Sequence, residues 1–188
     1  MVTHYYSKDL GRLPNDGKRY EIIAGELYVS GIPHYYHQLA CVNVACMLQA
    51  WSDNTATGQV NVAPGVIFAE DDDVAPDVIW IGYAQLAVAL GRDGHLHAAP
   101  ELIVEVLSPG KANKQRDRDA KLKLYSRRGV REYWIIDWRT RQTEIYRREQ
   151  AELRMVGTLF EGDTLDTPLL PGFTCSVSEL FEDIPSGA

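Results

Sequence analysis

Two short, nearly unbroken runs of β-branched and large apolar residues constrain this chain more than any other feature: Asp77-Val78-Ile79-Trp80-Ile81 and Leu102-Ile103-Val104-Glu105-Val106-Leu107. Runs of this kind mark central strands covered on both faces. Yet each carries a carboxylate, one at its start and one in its interior. Desolvating a carboxylate is costly unless it is paired or holds a metal ion. One such acid is most simply a satisfied structural residue. Two of them, about one crossover connection apart, would repel each other at a shared sheet edge unless a cation lay between them. Oxygen donors, with no CxxC and no Cys/His cluster at zinc spacing, favour Mg²⁺ or Mn²⁺ over zinc.

The remaining pattern predicts where these strands sit. Arg19 to Val29 reads as a hairpin hinged at Ala24-Gly25. His34 to Trp51 reads as a helix, with Leu39, Val42, Ala45, Cys46 and Leu48 as its apolar stripe. Gly58 to Ala69 is a strand bent at Pro64-Gly65, and Tyr83 to Gly94 a short helix. Lys114 to Arg128 is a helix stopped by Gly129. Strands follow at 132–137 and 143–147, with short β segments near Leu159, Leu165 and Phe173. The order implies an α/β fold, a mixed sheet flanked by helices. Its length of 188 residues suits one domain, with a core at about 18–147 and a C-terminal β extension at 148–188.

Composition narrows the function classes. No apolar run approaches the roughly 20 residues that span a bilayer, and the N-terminus lacks a secretory pattern. The three cysteines, Cys41, Cys46 and Cys175, read as reduced and mostly buried thiols of a cytoplasmic protein. The net charge of −7 counts against a nucleic-acid partner. The distribution counts for one: Lys111 to Arg131 holds nine basic residues against Asp117 and Asp119. Such a run is more often a solvated face than a binding site. No GxxxxGK[ST] or GxSxG pattern occurs, which removes P-loop nucleotide binding and acyl transfer by a nucleophile elbow.

Pro76-Asp77, a spacer, and Glu105 within a strand resemble the PD-(D/E)xK nuclease motif, and longer segments make the likeness specific. Tyr20-Glu21-Ile22-Ile23-x-Gly25-Glu26-Leu27, His37-Gln38, Ala75-Pro76-Asp77-Val78 and Pro100 through Pro109 are similar to the Uma-type family of restriction endonucleases. So is the series from Arg116-Asp117-x-x-x-Lys121-x-x-x-Tyr125 to Glu132-Tyr133-Trp134-Ile135-Ile136-Asp137. Together these cover roughly residues 18 to 147. The resemblance implies a restriction-endonuclease-like core with an N-terminal β-hairpin and extra C-terminal strands.

In that superfamily a lysine stands two residues after the glutamate, where this chain has Leu107. The resemblance implies a lysine relocated to the next helix, at Lys121. Helical spacing agrees, because Asp117, Lys121, Leu124 and Tyr125 share a face that should pack on the sheet, while Lys123 lies about 200° round. A structural role, snorkelling or pairing with Asp117, is the bland alternative. Met in place of Lys121 is then expected to end cleavage while leaving melting nearly unchanged; a large stability loss would favour the structural role.

The expected function is therefore a metal-dependent DNA endonuclease. Asp77, Glu105 and the Val106 carbonyl would hold Mg²⁺ or Mn²⁺, and Lys121 would assist the attacking water. Lys111, Lys114, Arg116 and Arg118 would contact phosphates. Glu26 and His37 match family positions and are secondary candidates, with Glu101, Asp117 and Asp137 as outer supports. Such nucleases often act as homodimers. Two rivals stay open: a non-cleaving nucleic-acid-binding or regulatory module on the same fold, and a hydrolase of another phosphodiester.

Overall fold

A computed structural model describes residues 3–187, excluding the side chains of residues 111 and 112. After a short helix α1 (Ser7–Leu10), strands β1 (Arg19–Ile23) and β2 (Glu26–Ser30) form the expected hairpin. Its turn residues Ala24 and Gly25 both have positive φ, 51° and 77°, the two-residue turn that matches strand twist. The positive φ of Gly25 favours glycine there, and the His4 ring packs over the space where a Cβ would stand.

Helix α2 (Tyr35–Thr55) follows, capped by His34, whose Nδ1 accepts from the Tyr36 N–H at 3.2 Å. Its buried line is His37, Ala40, Cys41, Val44, Leu48 and Ser52. The expected stripe is thus rotated: Val42 and Cys46 are exposed, and Leu39 and Ala45 lie at the margin of the core. The helix is apolar on most sides, so periodicity alone does not choose the face that the sheet covers.

Pro64-Gly65 does more than bend a strand. It separates β3 (Gly58–Val62) from β4 (Val66–Ala69), and the two belong to different sheets. With β5 (Asp72–Val74), β4 completes a small sheet of order β2-β1-β5-β4. Next come β6 (Val78–Gly82), helix α3 (Tyr83–Ala89) and β7 (Leu102–Val106). Helix α3 stops at Ala89 and not at Gly94, because Leu90 turns extended and bridges Leu96.

The helical stretch after β7 begins earlier than expected and is not uniform. Helix α4 (Lys111–Gln115) runs into a π-helical turn at Arg116–Lys121 and then into α5 (Leu122–Arg128), which ends at left-handed Gly129 with φ 90°. Strands β8 (Glu132–Asp137), β9 (Gln142–Glu149) and β10 (Glu152–Phe160) complete a six-stranded sheet of order β10-β9-β8-β7-β6-β3. Only the β7–β8 pair is parallel, bridged by the α4-to-α5 crossover. A hairpin, β11 (Thr164–Asp166) with β12 (Thr174–Ser176), and a 3₁₀ turn at Val177–Phe181 form the tail.

The fold is mixed α/β, as the element order predicts. Both faces of the large sheet are covered. Val78, Val104, Val106 and Trp134 pack with α2 and the tail, while Ile79, Ile103, Leu107 and Tyr133 pack with Leu124 and Tyr125 of α5. Among the described residues no helix is long and apolar enough to cross a membrane.

Candidate active site

The register of β6 on β7 sets the site. Val78 faces Val104 and Ile79 faces Ile103, so one step further the antiparallel ladder carries Asp77 to Glu105. Side chains alternate along a strand, so Asp77 falls in line with Ile79 and Ile81, and Glu105 with Ile103 and Leu107, all on the α5 face. Asp77 is buried and well partnered. Its Oδ2 accepts from the Val106 N–H at 2.9 Å and lies 3.3 Å from His37 Nε2, and its Oδ1 accepts from Arg19 at 2.9 Å.

Glu105, 1% exposed, accepts at Oε1 from Lys121 Nζ at 2.8 Å and from the Tyr125 hydroxyl at 2.7 Å. Lys121 itself is wholly buried, and its second partner is Glu21 Oε1 at 3.0 Å. The π turn puts Asp117 and Lys121 inward together. Such turns inside α-helices are frequent at functional sites, where one added residue re-aims the side chains. Arg116, on the same turn, reaches Asp117 at 2.9 Å, Ser30 Oγ at 2.5 Å and Glu21 at 3.8 Å.

An open cleft of about 430 Å³ leads to these groups, lined in part by Lys18, Arg19, His37, Asp77, Ser108 and Arg116. Lys18, Arg19 and Arg116 give it an anion-accepting mouth, with Asp77 as the acid on its floor.

The electrostatics test whether the floor suits a cation. Four carboxylates, Glu21, Asp77, Glu105 and Asp117, are buried beside three strong bases, Arg19, Arg116 and Lys121. Burial raises Asp77, but the His37 hydrogen bond and charge, with Lys121 and Arg19, hold it well below the usual carboxylate range. Burial opposes a charge on His37, and the Asp77 partnership outweighs it and raises the ring. Burial would lower Lys121, but Glu105 and Glu21 raise it and keep it charged. For Glu105, burial dominates, Lys121 opposes it, and the neighbouring Asp77, Asp117 and Glu21 add to it, pushing the group up to about 8. Glu105 is thus the acid of the cluster whose protonated form its surroundings favour. A hard divalent cation fits the same carboxylate oxygens and would remove the need for that proton.

The expected residues divide into two groups. Asp77, Glu105, Lys121, Val106 and His37 come together, Val106 through its N–H, and Arg116 lines the cleft. Glu26 stays outside on the hairpin: it is exposed, its carboxylate accepts from Tyr28 at 2.9 Å, and among the described residues no hydrogen bond or ion pair ties it to the cluster. Lys114 is paired with Asp137 at 2.6 Å, and Arg118 with Glu144 at 2.5 Å. Arg127 and Arg128 both hold Asp72, so much of the basic segment is neutralised internally. The Lys111 side chain lies outside the described residues. Glu101 accepts from the Gly82 N–H at 3.1 Å and so supports the far end of β6.

Sequence reasoning missed Glu21 and Arg19 as members of the cluster. Glu21 is an acid inside a β run, the same signal that singled out Glu105, but its neighbours Arg19 and Tyr20 disguise the burial. Arg19 carries no local signal.

A mixed sheet whose adjacent central strands present acids to a lysine on the crossover helix defines a restriction-endonuclease-like α/β protein. A crystal structure described as a putative nuclease belonging to DUF820, from Anabaena variabilis ATCC 29413, shares the fold at 16% identity with a TM-score of 0.73, covering 94% of this chain and 97% of its own. The type IIG restriction endonuclease BpuSI is 14% identical with a TM-score of 0.43, over 78% of this chain and 15% of that one. A search of curated proteins found no match. Residues 7–178 match the family model Uma2, described as "Putative restriction endonuclease", and the chain belongs to that family.

Proposed function

We propose that this protein is a Mg²⁺- or Mn²⁺-dependent endonuclease that hydrolyses DNA phosphodiester bonds. The observation that carries the reading is the convergence of Asp77 and Glu105 on one sheet face with Lys121 Nζ 2.8 Å from Glu105. Asp77, Glu105 and the Val106 carbonyl would hold the ion. When bound, the ion would supply Lewis-acid polarisation of the phosphate and a lowered pKa for water. Lys121, fixed between Glu105 and Glu21, offers a proton and a positive charge to the oxygen that develops charge in the transition state. Arg19, Arg116 and Lys18 at the cleft draw the phosphate in, and His37 holds Asp77 ionised and oriented. Two copies acting together would let each DNA strand meet one site.

The direct test incubates purified protein with supercoiled plasmid and single-stranded DNA in Mg²⁺, Mn²⁺ or chelator, beside an Asp77→Ala control. Metal-dependent nicking that disappears in the control is the expected result. A second reading, a non-cleaving nucleic-acid-binding or regulatory module, is favoured by the net charge of −7 and by Leu107 at the position two residues after Glu105. DNA binding with no cleavage in either metal would establish that reading and end the first.

A further inference from the structure

Beside Asp77, on α2, lies a second set of donors of a different chemical kind. His37 and Cys41 are one helical turn apart on the buried line of α2, and Asp77 reaches them from the start of β6. One ring nitrogen of His37, the Cys41 sulfur and one Asp77 oxygen lie within 4.8 Å of one another. All three residues are buried, at 3%, 3% and 5% exposure. The nearest separations are 3.3 Å from His37 Nε2 to Asp77 Oδ2 and 3.7 Å from Cys41 Sγ to His37 Nδ1. Zinc holds nitrogen and oxygen at about 2.0 Å and thiolate at about 2.3 Å, so tetrahedral neighbours sit about 3.3–3.5 Å apart. These two separations use different nitrogens of the one ring, so with a single nitrogen as ligand the widest pair spans up to 4.8 Å and has to close by up to about 1.3–1.5 Å, through rotation of the His37 and Cys41 side chains.

We infer that His37, Cys41 and Asp77 form a zinc-class metal site that competes with the hard-cation site for Asp77. Nitrogen, sulfur and one carboxylate select Zn²⁺ or Co²⁺ over Mg²⁺, which takes oxygen donors and rejects thiolate. His37 and Asp77 line the cleft, which gives the ion an entry path and leaves a fourth position for water. On binding, the Cys41 S–H bond breaks as the metal–sulfur bond forms, and the proton leaves to solvent. His37 binds through an unprotonated ring nitrogen, so its hydrogen bond to Asp77 is exchanged for a shared ion.

The direction of pull makes the site inhibitory. Cys41 packs with Val78 and Val104 on the α2 face of the sheet, whereas Glu105 and Lys121 lie on the α5 face. Asp77 projects on the same face as Glu105 but at the strand end already meets His37 of α2, and zinc would draw it toward α2 and away from Glu105. This inhibitory half rests on the role proposed above for Asp77; the zinc site itself does not.

Spectroscopy separates the two. The full chain is titrated with Co²⁺, and sulfur-to-cobalt charge-transfer absorption is read in the near ultraviolet. We expect the band in the wild type and in Cys46→Ser, which removes the exposed thiol, and its loss in Cys41→Ala. The double variant Cys46→Ser, Cys175→Ala leaves Cys41 as the single thiol and must keep the band even if Cys41→Ala fails to fold. No band in the wild type, or a band lost with Cys46 and kept without Cys41, overturns the site. In parallel, micromolar Zn²⁺ should cut Mg²⁺-dependent nicking by roughly tenfold or more in the wild type and far less in Cys41→Ala. Equal inhibition of both overturns the competition. If nicking is absent altogether, the nuclease reading fails while the cobalt band still decides the site.

Discussion

The amine of Lys121 lies 2.8 Å from a carboxylate oxygen of Glu105, sixteen residues earlier in the chain, with both groups buried. The position two residues after Glu105, where the superfamily lysine stands, is occupied by Leu107, which is part of the core. A lysine on the crossover helix reaches the strand acid from above, and because that helix packs on the sheet it also reaches Glu21.

That second contact changes what Lys121→Met should do. Near-unchanged melting is expected of a lysine with a catalytic role alone and a large loss of one with a structural role, and this one compensates two buried acids and so carries both. Breaking a buried pair on one side costs about 3–5 kcal/mol when the remaining charges cannot escape. Here Glu105 can take up a proton, so the loss should be largest above pH 8 and smaller near pH 6. Cleavage should vanish at both. Thermal melts of the variant across this range check it, and a loss that does not depend on pH would contradict the pairing described here.

Glu105 also shapes the stability of the wild type. Its folded value, pushed up to about 8, lies above the 4.5 of an unburied glutamate. The folded state therefore holds a proton that the unfolded chain releases, and its stability declines as pH rises between those values. Asp77, held low, acts in the opposite sense: its stabilisation is present above its unfolded value and is lost in strong acid. Glu105→Gln should be inactive and should lack the alkaline decline. Its advantage over the wild type should grow from pH 5 to pH 9 by on the order of a few kcal/mol. Denaturant unfolding at several pH values measures this.

Divalent cation should replace that proton. Adding Mg²⁺ or Mn²⁺ should raise Tm, with about 2.7 kcal/mol of stabilisation at a hundredfold excess over Kd. The effect should weaken below pH 6, where the acids compete for protons, and disappear in Asp77→Ala. Calorimetry with and without chelator distinguishes this from a nonspecific salt effect, which Na⁺ at equal ionic strength would reproduce.

Glu21→Gln tests a residue that acts through another. Its carboxylate holds Lys121 and accepts from the Ala75 N–H at 3.0 Å, just ahead of Asp77. Outer partners of this sort are worth about 10–100-fold in activity. We expect a loss of that size in kcat, with Mn²⁺ affinity changed far less and Glu21→Asp restoring part of the rate. A loss confined to metal affinity would move Glu21 into the ion's own shell.

What the chain determined by itself was everything written in local pattern. Apolar runs around Asp77 and Glu105 marked two central strands and the acids within them. Ala24-Gly25 marked the hairpin, Gly129 the helix end, and the spacing of Leu124 and Tyr125 marked the inward face that carries Lys121. Tertiary structure decided which distant groups meet. Pairing of β5 with β1 puts Glu21 in the interior, β1 brings Arg19 to Asp77, and the seating of α2 on the sheet chose His37 and Cys41 over Val42 and Cys46. It also decided that most of the basic segment answers acids of its own fold. Burial preference is a property of a few neighbouring residues, so sequence carries it. Convergence depends on sheet order and strand register, which are set by the summed packing of segments far apart in the chain, and no short window contains them.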